Sequence, residues 1–263
     1  MGEFNKIRIV DFNNIWLDQY GNYKDIFKRK KYIIIKKNKC IKYYIDKFFL
    51  YNNFIIDTIN LKNIYEYEDF FKINNSNSNN ILIFVVKITN KEEFNKIFSV
   101  IKSFFYEKDL VIIAYASLNY VNLLKNTKKN IFFIKDKDDK ELVNLSIDCT
   151  LKIIIKLIID KRQIYNSLKS KDILNIYTIK IKDENSIGRA VIKVLNEFKE
   201  FQYCNEFIIG IFIKDYLKVQ DFSYFIDPLE EYMPFDAKIN FVKIYDENIN
   251  ELFIINIIGA KKY

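Results

Sequence analysis

The chain has 263 residues, 50% of them hydrophobic, with 42 Lys and Arg against 34 Asp and Glu for a formal net charge of +8. That length and apolar content can bury a substantial core, in one large domain or two packed ones, and exclude a disordered or fibrous chain. The complete absence of His excludes His-based zinc sites and Ser–His or Cys–His nucleophile systems.

The positive charge raises nucleic acid or another anionic partner as an expectation. Only four of the basic residues are Arg (Arg8, Arg29, Arg162, Arg189), whereas base and phosphate recognition favours the guanidinium fork. Lysine enrichment alongside Ile, Asn, Phe and Tyr is what AT-rich coding DNA imposes on any fold. Cys40, Cys149 and Cys204 are far apart and odd in number, with no paired metal or disulfide spacing, which fits a reducing compartment. The first ten residues carry charges every few positions and lack a signal-peptide core, so a cytoplasmic protein is expected. The longest apolar stretch, 151–159, is broken by Lys152 and Lys156 and is too short to span a bilayer.

In chain order, the first half alternates short apolar runs with longer amphipathic ones, the pattern of βαβ units and a largely parallel sheet. Strands are predicted at 7–10, 32–36, 54–59, 81–87, 110–116 and 131–135. Phe94, Ile97, Phe98, Ile101, Phe104 and Phe105 recur at helical spacing and predict a helix over 91–106 laid on the sheet. The Asn/Ser stretch 74–80 reads as a surface loop. Residues 140–159 are helix-length and apolar on most faces, which predicts a buried helix, with a switch to strand near Ile153 as the alternative.

Beyond Asp160 the order changes: a short helix at 162–170, a strand at 173–182, a helix at 187–200 capped by Ser186, a strand at 207–214, a helix at 222–232, and strands at 237–245 and 252–259. The expected fold class is therefore α/β: a Rossmann-like, mostly parallel sheet domain at 1–139, a long central helix at 140–159, and a smaller α+β domain with a four-stranded sheet at 160–263.

Two stretches carry a family resemblance. Ile158-Ile159-Asp160-Lys161-Arg162-Gln163, followed at fixed spacing by Glu184-Asn185-Ser186, resembles the Asn-x-Asp-x-x-Asp loop and the Glu-Asn-Arg helix start of the FtsZ/tubulin superfamily. Asp236 to Ile239, Asp246-Glu247-Asn248 and Phe253 to Gly259 look like that family's closing hairpin and terminal strand. The detailed resemblance covers about the last hundred residues, and the remainder matches only in element order. It implies an FtsZ-like protein of division or cytoskeletal assembly, partnered by FtsZ or by itself. It also makes Asp160, Lys161, Arg162 and Gln163 a candidate polymer interface, with Asp160 and Gln163 as a degenerate remnant of the catalytic loop. Asp160 alone is a poor residue of that machinery and reads better as a helix N-cap.

The family binds GTP on glycine-rich loops, because backbone N–H groups must approach phosphates closely. Here five glycines (Gly2, Gly21, Gly188, Gly210, Gly259) are dispersed, Asp11-Phe12-Asn13-Asn14 follows the first strand, and Val86-Lys87-Ile88-Thr89-Asn90-Lys91 stands where the resemblance requires Gly-Gly-Gly-Thr-Gly-Thr-Gly. The expectation is a nucleotide-independent pseudo-GTPase, not an enzyme, with no cofactor and no metal. Two other functions compete with it. One is a basic module for nucleic acid built on 24–42, which holds nine Lys or Arg but also reads as a Lys-guarded edge strand. The other is an enzyme using Asp136, Asp138, Asp139 and Glu141 at a strand end, residues that equally suit the start of a helix.

Overall fold

The computed structural model describes residues 5–12, 45–51, 54–61, 80–103, 110–124, 130–135, 139–159, 173–247 and 249–260. The expected strand at 32–36, the helix at 162–170 and the loop at 74–79 lie outside the described residues. The chain divides into two compact units, Met1–Ile131 and Phe132–Tyr263.

The first unit contains β1 (Asn5–Phe12), β2 (Ile45–Tyr51), β3 (Phe54–Leu61), β4 (Asn80–Ile88), α1 (Lys91–Ser103), β5 (Leu110–Ala116) and α2 (Leu118–Leu124). β1 lies between β3 and β4 and runs parallel to both, with Ile7 opposite Ile56 on one side and Ile81 on the other. β5 continues the parallel set beside β4. All seven residues of β5 are buried, as a strand covered on both faces requires. The sequence reading missed β2. It pairs antiparallel with β3, since the two residues separating them cannot form the crossover that a parallel pair needs.

α1 forms for the reason its spacing predicts. Phe94, Ile97 and Ile101 are buried along one stripe, and Phe94 stacks on Phe98 at 5.3 Å and on Tyr120 of α2 at 5.6 Å between ring centroids. α2 itself is only seven residues long, too short to show a period, and was not anticipated. β6 (Asn130–Lys135) straddles the boundary between the units, with Ile131 to Ile134 buried.

The second unit holds α3 (Lys140–Ile159), β7 (Ile173–Ile181), α4 (Ile187–Glu197), β8 (Glu206–Ile213), α5 (Val219–Glu230), β9 (Lys238–Tyr245) and β10 (Phe253–Ala260). Helix persists through Ile153 to Ile159, so the alternative of a strand there does not occur. The four strands are ordered β7-β10-β8-β9, with β10 antiparallel to β7 and β8 while β8 and β9 run parallel.

This order corrects the expected closing hairpin: the last two strands are not neighbours. β10 is buried along its whole length and takes the middle of the sheet, whereas β9 alternates exposed and buried residues at the edge. One face of the sheet carries α3; a Cβ at Gly210 would collide with Ile153, so that strand and helix approach more closely than any other residue allows. The other face packs α4 and α5 through Val191, Val194, Phe225 and Leu229 against Ile179, Ile209, Phe253 and Ile255.

The architecture is thus the one expected: a mostly parallel α/β part, a long mid-chain helix and an α+β part with a four-stranded sheet. Two local details differ. Ser186 makes no side-chain cap on α4. Asp183 closes a capping box with Ser186 around a single 3-10 turn that leads into the helix. The helix then ends at Glu197 because Phe198 leaves helical geometry to enter the core between Tyr177 and Phe201.

Candidate functional site

In an open parallel sheet, ligands bind beyond the carboxyl ends of the strands, where consecutive connections leave to opposite sides. The order β3-β1-β4-β5 places that point between β1 and β4. Asp11 and Phe12 end β1, with Asp11 opposite Val85 of β4. β4 ends at Ile88, and Thr89 and Asn90 lead directly into α1.

The head of α1 is closed by its own side chains. The Glu93 N–H donates to Asn90 Oδ1 at 2.9 Å, and the Glu93 carboxylate accepts from both the Thr89 N–H at 2.8 Å and the Thr89 hydroxyl at 2.7 Å. This is a variant of the capping box, in which side chains satisfy the donors that a helix N-terminus leaves open. Glu92 and Glu93 also place two carboxylates in the first turn, at the positive end of the helix dipole. A hydrogen bond from Lys96, reinforced by its charge, holds the Glu92 carboxyl below its usual range. At the next strand end, the Ser117 carbonyl accepts from the N–H groups of Tyr120 and Val121 and starts α2.

The acidic residues proposed for an enzyme after β6 resolve into structural roles where they are described. Asp139 accepts from the Leu142 N–H at 3.0 Å and caps α3, and Glu141 pairs with Lys180 at 2.7 Å. Asp136 and Asp138 lie outside the described residues. So do Asp160, Lys161, Arg162 and Gln163, the candidate polymer interface, and the basic segment 24–42. Glu184, from the motif matched in the second unit, bonds Lys218 at 2.7 Å.

A site that sequence reading missed is the buried ion triad on α3. Lys152 reaches Asp148 at 2.5 Å on its own helix and Asp246 at 2.6 Å at the end of β9, with side chains 10%, 4% and 8% exposed. Burial alone would lower the lysine pKa, but the two carboxylates outweigh it and hold the ammonium above its usual value. Asp246 had read as part of the resemblance to the family's closing hairpin. The available signal was Lys152 itself, a charge in the middle of an apolar helix that needs a partner.

Beside the triad, Asn256 in the centre of β10 is fully buried and donates through Nδ2 to Thr178 at 2.8 Å and to Thr150 of α3 at 3.4 Å. The neighbouring Cys149 thiol is pushed well up by burial. These groups fix α3 on the sheet and leave no accessible nucleophile there. Among the described residues no cluster of His, Cys, Asp or Glu could hold a metal ion, and no helix is long and apolar enough to cross a membrane.

No protein-family model and no curated protein matches the sequence. Solved structures do match in fold. An FtsZ from M. jannaschii aligns with a TM-score of 0.62 at 12% identity over 98% of this chain and 91% of its own. A second M. jannaschii structure, an FtsZ dimer without ligand, aligns with a TM-score of 0.54 at 10% identity over 76% and 68%. The chain therefore has an FtsZ/tubulin-like fold. This finding corrects the expectation that the protein is not an enzyme: the fold is that of a GTPase family, and replacing the glycine-rich turns does not show the activity lost.

Proposed function

We propose that the chain is a subunit of a cytoskeletal or cell-division assembly, acting through protein–protein contacts with copies of itself or with an FtsZ, and that these contacts do not depend on a nucleotide. The observation that carries the reading is the FtsZ-like fold over nearly the whole chain, which extends through the α+β part as well as the parallel sheet. The dimer among the similar structures supports self-association as its mode of action.

Nucleotide-independent contact is supported by the head of α1. The Glu93 N–H is already bonded to Asn90 and the Thr89 N–H to Glu93, and two carboxylates stand where an anionic ligand would approach. Residues 160–163 remain the proposed polymer contact on this reading, since their sequence resembles the family's intersubunit loop.

Pelleting of the purified chain, alone and mixed with an FtsZ, tests the reading when done with and without GTP and with phosphate release followed in parallel. Assembly or co-pelleting of equal extent with and without GTP is expected. Assembly only with GTP would overturn nucleotide independence. A soluble chain under every condition would overturn the assembly reading itself.

A further inference from the structure

β9 ends the sheet of the second unit, and its backbone shows which residues line the outer edge. The Lys238 N–H donates to the Asn205 carbonyl and the Asp246 N–H to the Ile213 carbonyl, both at 2.8 Å. The backbone groups of successive strand residues point to opposite sides, so the even-numbered residues of β9 face β8. The odd-numbered ones, among them Ile239, Lys243 and Tyr245, turn N–H and C=O outward, where among the described residues no further strand lies.

Edge strands are commonly blunted by bulges, proline or charge. β2, the end strand in the first unit, has such an irregularity between Ile45 and Lys47. β9 has none: its eight residues keep an unbroken register with β8 and include no proline. The charge in its outward set, Lys243, lies back along the strand with its ammonium 5.0 Å from the centre of the Tyr245 ring. On the same face Phe241 meets Phe222 of α5 edge to face at 5.3 Å, and both Phe241 and Tyr245 are exposed. Outward backbone groups flanked by aromatic surface suit an extended strand as their partner.

The sequence of β9 specifies which strand. Its outward residues run from 239 to 245 and are symmetric about Val242. An antiparallel copy of β9 centred there sets Ile239 against Tyr245 and Phe241 against Lys243 of the other copy. Those are aromatic–aliphatic and aromatic–cation pairs, and no two like charges meet. The strand begins at basic Lys238 and runs out into Asp246 and Glu247, so antiparallel pairing brings the basic start of each copy to the acidic end of the other. Parallel pairing would set like ends together.

We propose that β9 pairs antiparallel with β9 of a second copy of the chain, joining the two sheets through a two-fold contact. The inference rests on the assembly reading above and names a surface that performs it. The same patch serves both copies, so the contact closes at two, and it uses none of residues 160–163.

Residue-resolved amide hydrogen exchange of the full chain, at concentrations above and below the association seen by sedimentation velocity, tests the proposal. The amides of Ile239, Lys243 and Tyr245 are expected to slow about tenfold once about nine-tenths of the chain is paired. Those of Asn240, Val242 and Ile244, which face β8, should be slow throughout. Lys243→Pro removes an outward N–H from each copy and is expected to weaken association about tenfold, whereas Lys243→Val keeps it and should associate like the wild type. A chain that associates while the three outward amides stay fast, or that associates equally well with Lys243→Pro, would overturn the edge contact and leave the assembly reading standing. Slow exchange of these amides in the monomer would show the edge covered within the chain, and slowing only when an FtsZ is mixed in would assign it to that partner; either overturns self-pairing. A wild type monomeric at every concentration, alone and with an FtsZ, would overturn the assembly reading, and this contact with it.

Discussion

The head of α1 and the middle of α3 both use carboxylates near a helix, one pair in water and the other out of it. At α1, Asn90 is exposed and Glu93 half-buried, and they satisfy donors that solvent would otherwise satisfy. At α3, Asp148 of the helix and Asp246 at the end of β9 are removed from water and depend on Lys152 for compensation. The first arrangement is locally replaceable; the second couples residues 94 positions apart and fails as a whole when one member is lost. Charge therefore closes a helix end in the first unit and fixes the packing of a helix on a sheet in the second.

The largest effect should come from breaking the buried set. Lys152→Met leaves two carboxylates facing each other without a cation, and a loss of about 3–5 kcal/mol of unfolding free energy is expected. Urea denaturation measures it, and a loss under about 1 kcal/mol, the range of an exposed pair, would show that the triad is effectively solvated.

Alkaline pH should act on the same unit more gradually. The folded pKa of Lys152 lies above the usual 10.5, so its contribution is full below that value and is lost as pH rises through the folded pKa. Tyr177 is raised above its usual 10.0, first by burial and then by Glu197, to which its hydroxyl donates at 3.0 Å. The folded state thus holds the phenol neutral, and that contribution too is full below 10.0 and lost above it. Both signs agree: the urea midpoint should fall as pH rises past about 10. Tyr177→Phe should make that fall shallower, and an unchanged slope would remove Tyr177 from the account.

The smallest effect is expected at the exposed helix end, where Asn90→Ala removes a cap worth about 1 kcal/mol. Thermal melting should register the change, and a loss as large as that of Lys152→Met would erase the distinction between the two regions.

What was legible in the sequence follows the strength of local pattern. The bounds of α3 were readable because a helix-length run apolar on most faces suits a buried helix, although a switch to strand near Ile153 stayed open, and β5 was readable because seven apolar residues stand between polar ones. β2 was hidden by Asp46 and Lys47, which break its apolar run. The position of β10 was misread as half of a hairpin, although its apolar run, broken only by Asn256, already marked a central strand and the alternation in β9 marked an edge.

The candidate site was less legible. Spacing identified the glycine-free turn before α1, but the bond between Thr89 and Glu93 that closes it depends on side-chain direction. The triad was invisible because Lys152 and Asp246 meet only through tertiary packing. The FtsZ-like fold was recovered from joint spacing in the second unit, while the inference from lost glycines to lost enzyme activity went further than the fold allows.

The central claim is that this fold works by associating, and the most direct measurement is the sedimentation coefficient of the wild-type chain without nucleotide as its concentration is raised through the micromolar range. A coefficient that climbs with concentration and falls back on dilution is the predicted result. A single monomer boundary throughout, from a chain whose circular dichroism shows it folded, would contradict it.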